Sequence, residues 1–310
     1  MHKQLFNEAI IKLIISPVGP ILIKAGEGEA DPTSPDMSFV RTVYGGREMV
    51  YLPGSSLKGV LRAHSERLAR TVQGKRGLAC DPLDDRHACA QRLEKEWSGA
   101  QKYKESCFLC QLFGNTSLSS HFRIADAHPI SEYRTEERNG VAIDRVFGSV
   151  AVGPFNYETV TAGAFETTLY VKNFTLAQLG LLALALRDLS AGRVRLGFAK
   201  SRGLGVVTSQ VEALTLRYPF CELKEGRLRL LGGRDLGVTN QLIGVGKFAG
   251  DESYGYPLND TVAMPDGYKY ETNDWEEVEV RAPKEDDKIK WKPLGQHCVK
   301  KWKEVVERGN

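Results

Sequence analysis

No apolar run in this 310-residue chain approaches the ~18 residues that cross a bilayer. The longest, residues 9–15 and 179–186, are short, and Gly180 interrupts the second. The opening Met1-His2-Lys3 carries no signal-peptide pattern, so the chain reads as cytoplasmic, with no membrane partner. Net charge is also scarce: 42 Lys and Arg against 39 Asp and Glu leave a formal +3, so any polyanion must be met by local patches rather than a global field. Internal repeats and low-complexity tracts are missing. Without a leader, six cysteines in a chain of this size point away from a disulfide framework and toward metal binding or reduced thiols. What is present, 42% hydrophobic residues, fills the core of one large domain with insertions or two small ones.

The apolar pattern orders the elements. Residues 5–15 alternate partially and predict a first strand, 21–24 a second short one, and 26–35 a loop rich in Gly, Pro and acids. Over 55–72, Leu57, Val60, Leu61, His64 and Leu68 fall on one helical face. Strands are predicted at 121–130, 163–172, 193–198 and 205–216, and Thr175 caps a helix over 176–189 that is apolar nearly all round and therefore buried. Stripped of insertions, the order strand, helix, strand, strand, helix, strand is the split βαβ pattern of a ferredoxin-like (RRM-like) α+β fold. The reading places this domain at 1–216, with a cysteine-bearing insertion at 74–114 and an excursion at about 134–161. Residues 217–310 form a C-terminal extension, irregular except for a helix at 298–307 that Trp291, Val299 and Trp302 would dock.

Residues 50–62, Val-Tyr-Leu-Pro-Gly-Ser-Ser-Leu-Lys-Gly-Val-Leu-Arg, are the most informative stretch. A turn at Pro53 and Gly54 leads to Ser55 and Ser56, either able to cap the helix, and Lys58 and Arg62 follow one turn apart. Helix-start amides, two hydroxyls and two cations suit a sugar-phosphate backbone; the plainer alternative is a capped surface helix. The loop 197–205 mixes glycines with Lys200 and Arg202, which can approach and neutralise phosphate, as can many charged hairpin loops that bind nothing. In the excursion, Arg134, Arg138, Asp144, Arg145, Phe147, Phe155 and Tyr157 interleave cations with aromatics, either to pair with phosphates and stack on bases or as a plain charged hairpin. Asp31, Asp36 and Arg41 precede the Pro-Gly turn, where a carboxylate can hold a divalent cation or take a proton from a ribose hydroxyl, or simply be solvated. Cys80, Cys89, Cys107 and Cys110 end in Cys-x-x-Cys, the ligand set of a closed structural Zn²⁺ site, with His87 a possible substitute for Cys80 or Cys89 and buried free thiols the alternative. Cys221 and Cys298 stand apart.

Taken together, these features resemble the backbone subunits of type III CRISPR effector complexes, within the RAMP superfamily. Residues 50–62 resemble that family's Pro-Gly-Ser-Ser-Leu-Lys-Gly-x-x-Arg motif, 197–205 its late glycine-rich segment, Ala142-Ile143-Asp144-Arg145 with the strand at 163–172 its thumb hairpin region, and Cys107-Phe-Leu-Cys110-Gln-Leu-Phe-Gly114 its metal-binding stretch. The resemblance implies a palm with a thumb, stacked with other subunits of the antiviral complex along a guide CRISPR RNA. It implies that Asp36 is the loop aspartate of an endoribonuclease that cleaves complementary target RNA with a divalent cation such as Mg²⁺ or Mn²⁺. The runner-up it leaves is a nuclease-silent scaffold that binds guide RNA and shapes the duplex. RNA contacts are expected at Ser55, Ser56, Lys58, Arg62, Arg138, Arg145, Phe147, Lys200 and Arg202.

Overall fold

Alternation along β1 (Glu8–Pro17) sends Ala9, Ile11, Leu13 and Ile15 to one side, all buried, and this strand lies inside the main sheet. A computed structural model describes residues 3–26, 35–72, 77–84, 86–249, 253–285 and 288–309; Asp31 lies outside them. The elements that follow β1 in the main sheet and its helical cover are α1 (Gly54–Val72), β2 (Phe122–Ile124), β3 (Phe165–Lys172), α2 (Leu176–Ser190) and β4 (Val207–Tyr218). The strands lie in the order β4-β1-β3-β2, each pair antiparallel, with Ile11 opposite both Leu169 and Leu214. The fold is α+β.

The α1 face predicted from spacing is real: Leu57, Leu61 and His64 are buried with Ala69, and Val60 and Leu68 pack at its margin. His64 Nε2 meets Asp188 Oδ2 of α2 at 2.9 Å, and Arg187 and Arg193 both reach the other Asp188 oxygen at 2.9 Å. Burial alone would raise the Asp188 pKa, but the bonds from His64 and the two arginines reverse this and hold it low. α2 begins as predicted, with Thr175 and Gln178 bonding each other's backbone in a capping box.

Three predicted strands come out differently. Residues 21–24 make only single bridges, Ile21 to Val160 and Lys24 to Phe39. The segment 193–198 contributes one bridge, Arg195 to Val206, because Gly197 (φ 75°) and Ala199 (φ 53°) bend the chain onto Leu22. The stretch 121–130 breaks into β2 and the pair His128–Pro129, and in the break Ala127 bridges to Leu52.

Beyond a separate three-stranded sheet over 221–238, two short strands return to the main sheet. Val278–Arg281 pairs with β4 and Tyr270–Thr272 pairs in turn with it. The final helix is longer than expected, Lys292–Gly309, and lies on α2; at Gly180 a side chain would collide with the carbonyl of Cys298. Trp302 is buried as expected and packs 5.1 Å from Phe108, next to Cys107. Asp260 completes the α2 start: it is 1% exposed, and its carboxylate accepts from the Leu176 and Gly246 amides at 3.1 and 3.2 Å. No helix among the described residues is long and apolar enough to cross a membrane.

Candidate nucleic-acid interface and metal centre

The start of α1 is built differently from the expected serine cap. The Pro53 carbonyl accepts the Leu57 amide at 3.0 Å, and Asp126 Oδ1 accepts the Gly54 amide at 2.7 Å, so neither Ser55 nor Ser56 is the capping residue. Glycine is needed at 54 because a Cβ there would sit 2.5 Å from the Ile124 carbonyl. The serines are thereby left for other partners: Ser55 is exposed and Ser56 half-buried.

Ser56 faces the glycine-rich loop. Together with Val60 it lines an open cleft whose other walls are Ile23, Lys24, Gly197, Phe198 and Lys200. The loop is held there by the Phe198 amide on the Leu22 carbonyl (2.7 Å) and the Gly205 amide on the Pro20 carbonyl (2.9 Å). Arg195 bonds the Lys200 carbonyl at 2.5 Å, and the Arg202 guanidinium lies 5.6 Å over the Phe198 ring. The structure thus brings Ser56, Lys200 and Arg202 into one neighbourhood and adds Lys24 and Phe198, which sequence spacing did not single out. Lys58 lies deeper: its Nζ is 3.4 Å from the Phe122 carbonyl, and burial first, then Arg62, lowers its pKa. Arg62 turns away from the cleft, donating to Glu66 Oε1 (2.8 Å), the Gly114 carbonyl (3.0 Å) and Cys110 Sγ (3.7 Å).

Asp36 lies where the cleft meets the long hairpin, Arg134–Ile143 with Val150–Ala162. On one side its segment bridges Phe39 to Lys24; on the other, Met37 bridges to Tyr157. Asp36 is exposed, and its Oδ2 accepts the Asn156 amide at 2.8 Å. Arg41 and Glu158 fix the joint through two bonds of 2.7 and 2.6 Å, and Glu158 also accepts the Phe39 amide at 3.1 Å. Burial raises the Glu158 pKa, but Arg41 and the Phe39 amide outweigh it and lower the value.

The hairpin projects its tip into solvent. Asp144 accepts the Val146 and Phe147 amides at 2.7 and 2.8 Å, folding the turn and holding its own carboxyl below the usual range. Arg145 is exposed, and Phe147 is 84% exposed, so the ring supports no core. Arg138 pairs with Glu136 at 3.1 Å on the hairpin surface.

The four cysteines converge. The sulfurs of Cys80, Cys89, Cys107 and Cys110 all lie within 4.8 Å of one another, and Cys80 and Cys110 are 3.7 Å apart. A tetrahedral site with metal–sulfur bonds of about 2.3 Å has sulfur–sulfur edges of about 3.8 Å, so the set fits a metal ion. No disulfide forms among them. His87 does not join the set: it is exposed and pairs with Asp84 at 2.7 Å, because four sulfurs already complete the tetrahedron.

Residues 15–208, more than half of the chain, match the family described as the RAMP superfamily. No curated protein is similar enough to match.

Proposed function

We propose that this chain, which belongs to the RAMP superfamily, is a guide-RNA-binding backbone subunit of a type III CRISPR effector that cleaves complementary target RNA. The observation that carries the reading is the meeting of Ser56, Lys24, Lys200 and Phe198 in one cleft, joined through the Asp36 segment to the hairpin. In this reading the strand order β4-β1-β3-β2 is a ferredoxin-like palm, the hairpin is its thumb and the cysteine set holds a structural Zn²⁺. Free cysteines accord with a reducing cytoplasm.

Each part has a chemical task. Lys24, Lys200 and Arg202 neutralise guide phosphates without reading bases, Ser55 and Ser56 donate hydroxyl bonds, and Phe198 offers a stacking face. Lys58 backs this surface from within. Arg138 and Arg145 meet backbone along the thumb, and Phe147 wedges between bases at its tip. Asp36 removes the proton from the ribose 2′-hydroxyl that attacks the adjacent phosphate; the bond to the 5′-oxygen breaks and that oxygen leaves with a proton, giving a 2′,3′-cyclic phosphate. Alternatively, Asp36 would hold a cation beside that phosphate. One exposed carboxylate fits Mg²⁺ or Mn²⁺, which take few protein ligands and complete their shells with water and phosphate oxygens. Such a cation would supply charge stabilisation at the scissile phosphate.

The second reading, a nuclease-silent scaffold, is favoured by the Asn156 amide, which occupies one Asp36 oxygen. Cleavage of a guide-complementary RNA by the assembled complex separates the two. With Asp36→Ala, the nuclease reading expects loss of this subunit's cut at unchanged target affinity. Cleavage that survives the substitution assigns the subunit to the scaffold class.

A further inference from the structure

A four-thiolate site holding a divalent cation carries two net negative charges. Here three of its sulfurs belong to residues that are nearly inaccessible: Cys89 at 0%, Cys107 at 7% and Cys110 at 1%. Burying that charge uncompensated is strongly unfavourable, so compensation is expected in the contacts around the sulfurs. Two come from backbone: the Cys107 amide donates to Cys89 Sγ at 3.2 Å and the Cys110 amide to Cys107 Sγ at 3.4 Å. Two come from guanidinium groups: Arg62 Nη2 to Cys110 Sγ at 3.7 Å and Arg92 Nη2 to Cys89 Sγ at 3.8 Å.

The arginines differ in what holds them. Arg92 stands one turn after Cys89 and is steered by the Glu105 carbonyl. Arg62 belongs to α1 and begins a ladder along that helix. Its Nε bonds Glu66 Oε1 at 2.8 Å, and Glu66 Oε2 accepts from Arg70 at 3.0 Å. Arg70 then reaches the Cys80 carbonyl at 2.8 Å. One helix face therefore grips the cysteine set at two ligands, Cys110 through sulfur and Cys80 through backbone. The same helix presents Ser56 to the cleft two turns earlier.

Resting on the reading of the cysteine set as a metal centre, we propose that Arg62 and Arg92 are its charge-neutralising positioning residues, and that the Arg62-Glu66-Arg70 ladder makes α1 the strut between metal and cleft. Arg62 is thus assigned to the metal centre rather than to phosphate. Its charge works through the thiolates, lowering the free energy of the loaded site.

The test is competition for Zn²⁺ between the full-length protein and a chromophoric chelator, with the absorption spectrum of the Co²⁺-loaded protein as a second readout. Cys107→Ser tests the metal reading itself and is expected to abolish stoichiometric binding. Arg62→Met with Arg92→Met is expected to weaken Zn²⁺ binding about 10- to 100-fold and to shift the sulfur-to-cobalt charge-transfer band, with Arg62→Lys restoring part of the loss. Arg62→Met also removes bonds to Glu66 and Gly114, so Arg92→Met alone serves as the variant least exposed to misfolding. Binding by Arg92→Met and the double variant within about twofold of wild type, with an unshifted band, overturns the inference while leaving the metal reading intact. Equal binding by Cys107→Ser overturns the reading and the inference together.

Discussion

The two helices that cover the main sheet begin in opposite ways. At α2 the chain supplies its own acceptor: the Asp260 carboxyl is buried against the Leu176 and Gly246 amides, and Thr175 and Gln178 cap the rest. At α1, among the described residues, the exposed Asp126 meets the Gly54 amide; Ser55 follows at the surface, and Ser56 lines a cleft walled by Lys24 and Lys200. Both starts carry the partial positive charge of aligned peptide dipoles. One spends it inside the fold, and the other leaves it beside two cations at the surface. A helix N-terminus becomes a candidate ligand site through what the rest of the chain withholds from it.

Breaking the filled end has the largest effect. Asp260→Ala leaves two buried amides without an acceptor and is expected to cost about 2–4 kcal/mol in denaturant unfolding at pH 6, whereas Ser56→Ala, at the open end, stays within about 0.5 kcal/mol. Equal costs would erase the contrast.

The filled end also titrates. Burial raises the Asp260 carboxyl to about 7, against the pull of the Leu176 and Gly246 amides; Lys301 adds to that pull and Glu304 opposes it. In the unfolded chain an aspartate titrates near 3.9, so the folded state holds its proton more tightly. This contribution to stability is full below about pH 4 and declines as pH rises toward 7, with a slope approaching about 1.4 kcal/mol per pH unit. Unfolding free energies of wild type and Asp260→Asn across pH 4–8 are expected to diverge in slope over that window; parallel curves would count against the burial.

The smallest stability effect belongs to the hairpin tip. Phe147 is 84% exposed, so Phe147→Ala is expected to change stability by less than about 0.5 kcal/mol. It is also expected to reduce the fluorescence change of a 2-aminopurine placed in the guide-target duplex. A large stability loss would mean the ring packs against something within the chain.

These contrasts also explain what the sequence reveals. The order of sheet strands and helices is legible because each carries an apolar period, and α2 is legible to its cap because Thr175 and Gln178 are local. The α1 start is not, since its acceptor, Asp126, comes from the break after β2, and no local signal announces it. Arg62 shares its spacing with a phosphate ligand, and only the fold reveals Cys110 beneath it. Lys24 was readable as the outward residue of Ile21-Leu22-Ile23-Lys24, but its value depends on Lys200 across the cleft. The strands at Tyr270–Thr272 and Val278–Arg281 are short and lie at one side of the sheet, so the pairing of Val278–Arg281 with β4, and of Tyr270–Thr272 with Val278–Arg281, is a tertiary fact. The joint around Asp36 is likewise tertiary, held by Arg41 and Glu158 from distant parts of the chain.

The most direct test of the open end is guide-RNA binding by the full-length protein, measured by fluorescence anisotropy across a salt series for wild type and the triple variant Lys24→Ala, Ser56→Ala, Lys200→Ala. Two lost phosphate contacts on a single strand predict a salt slope shallower by about 1.4, with weaker binding at every salt concentration. An unchanged slope and affinity would contradict the assignment of this cleft to the guide backbone.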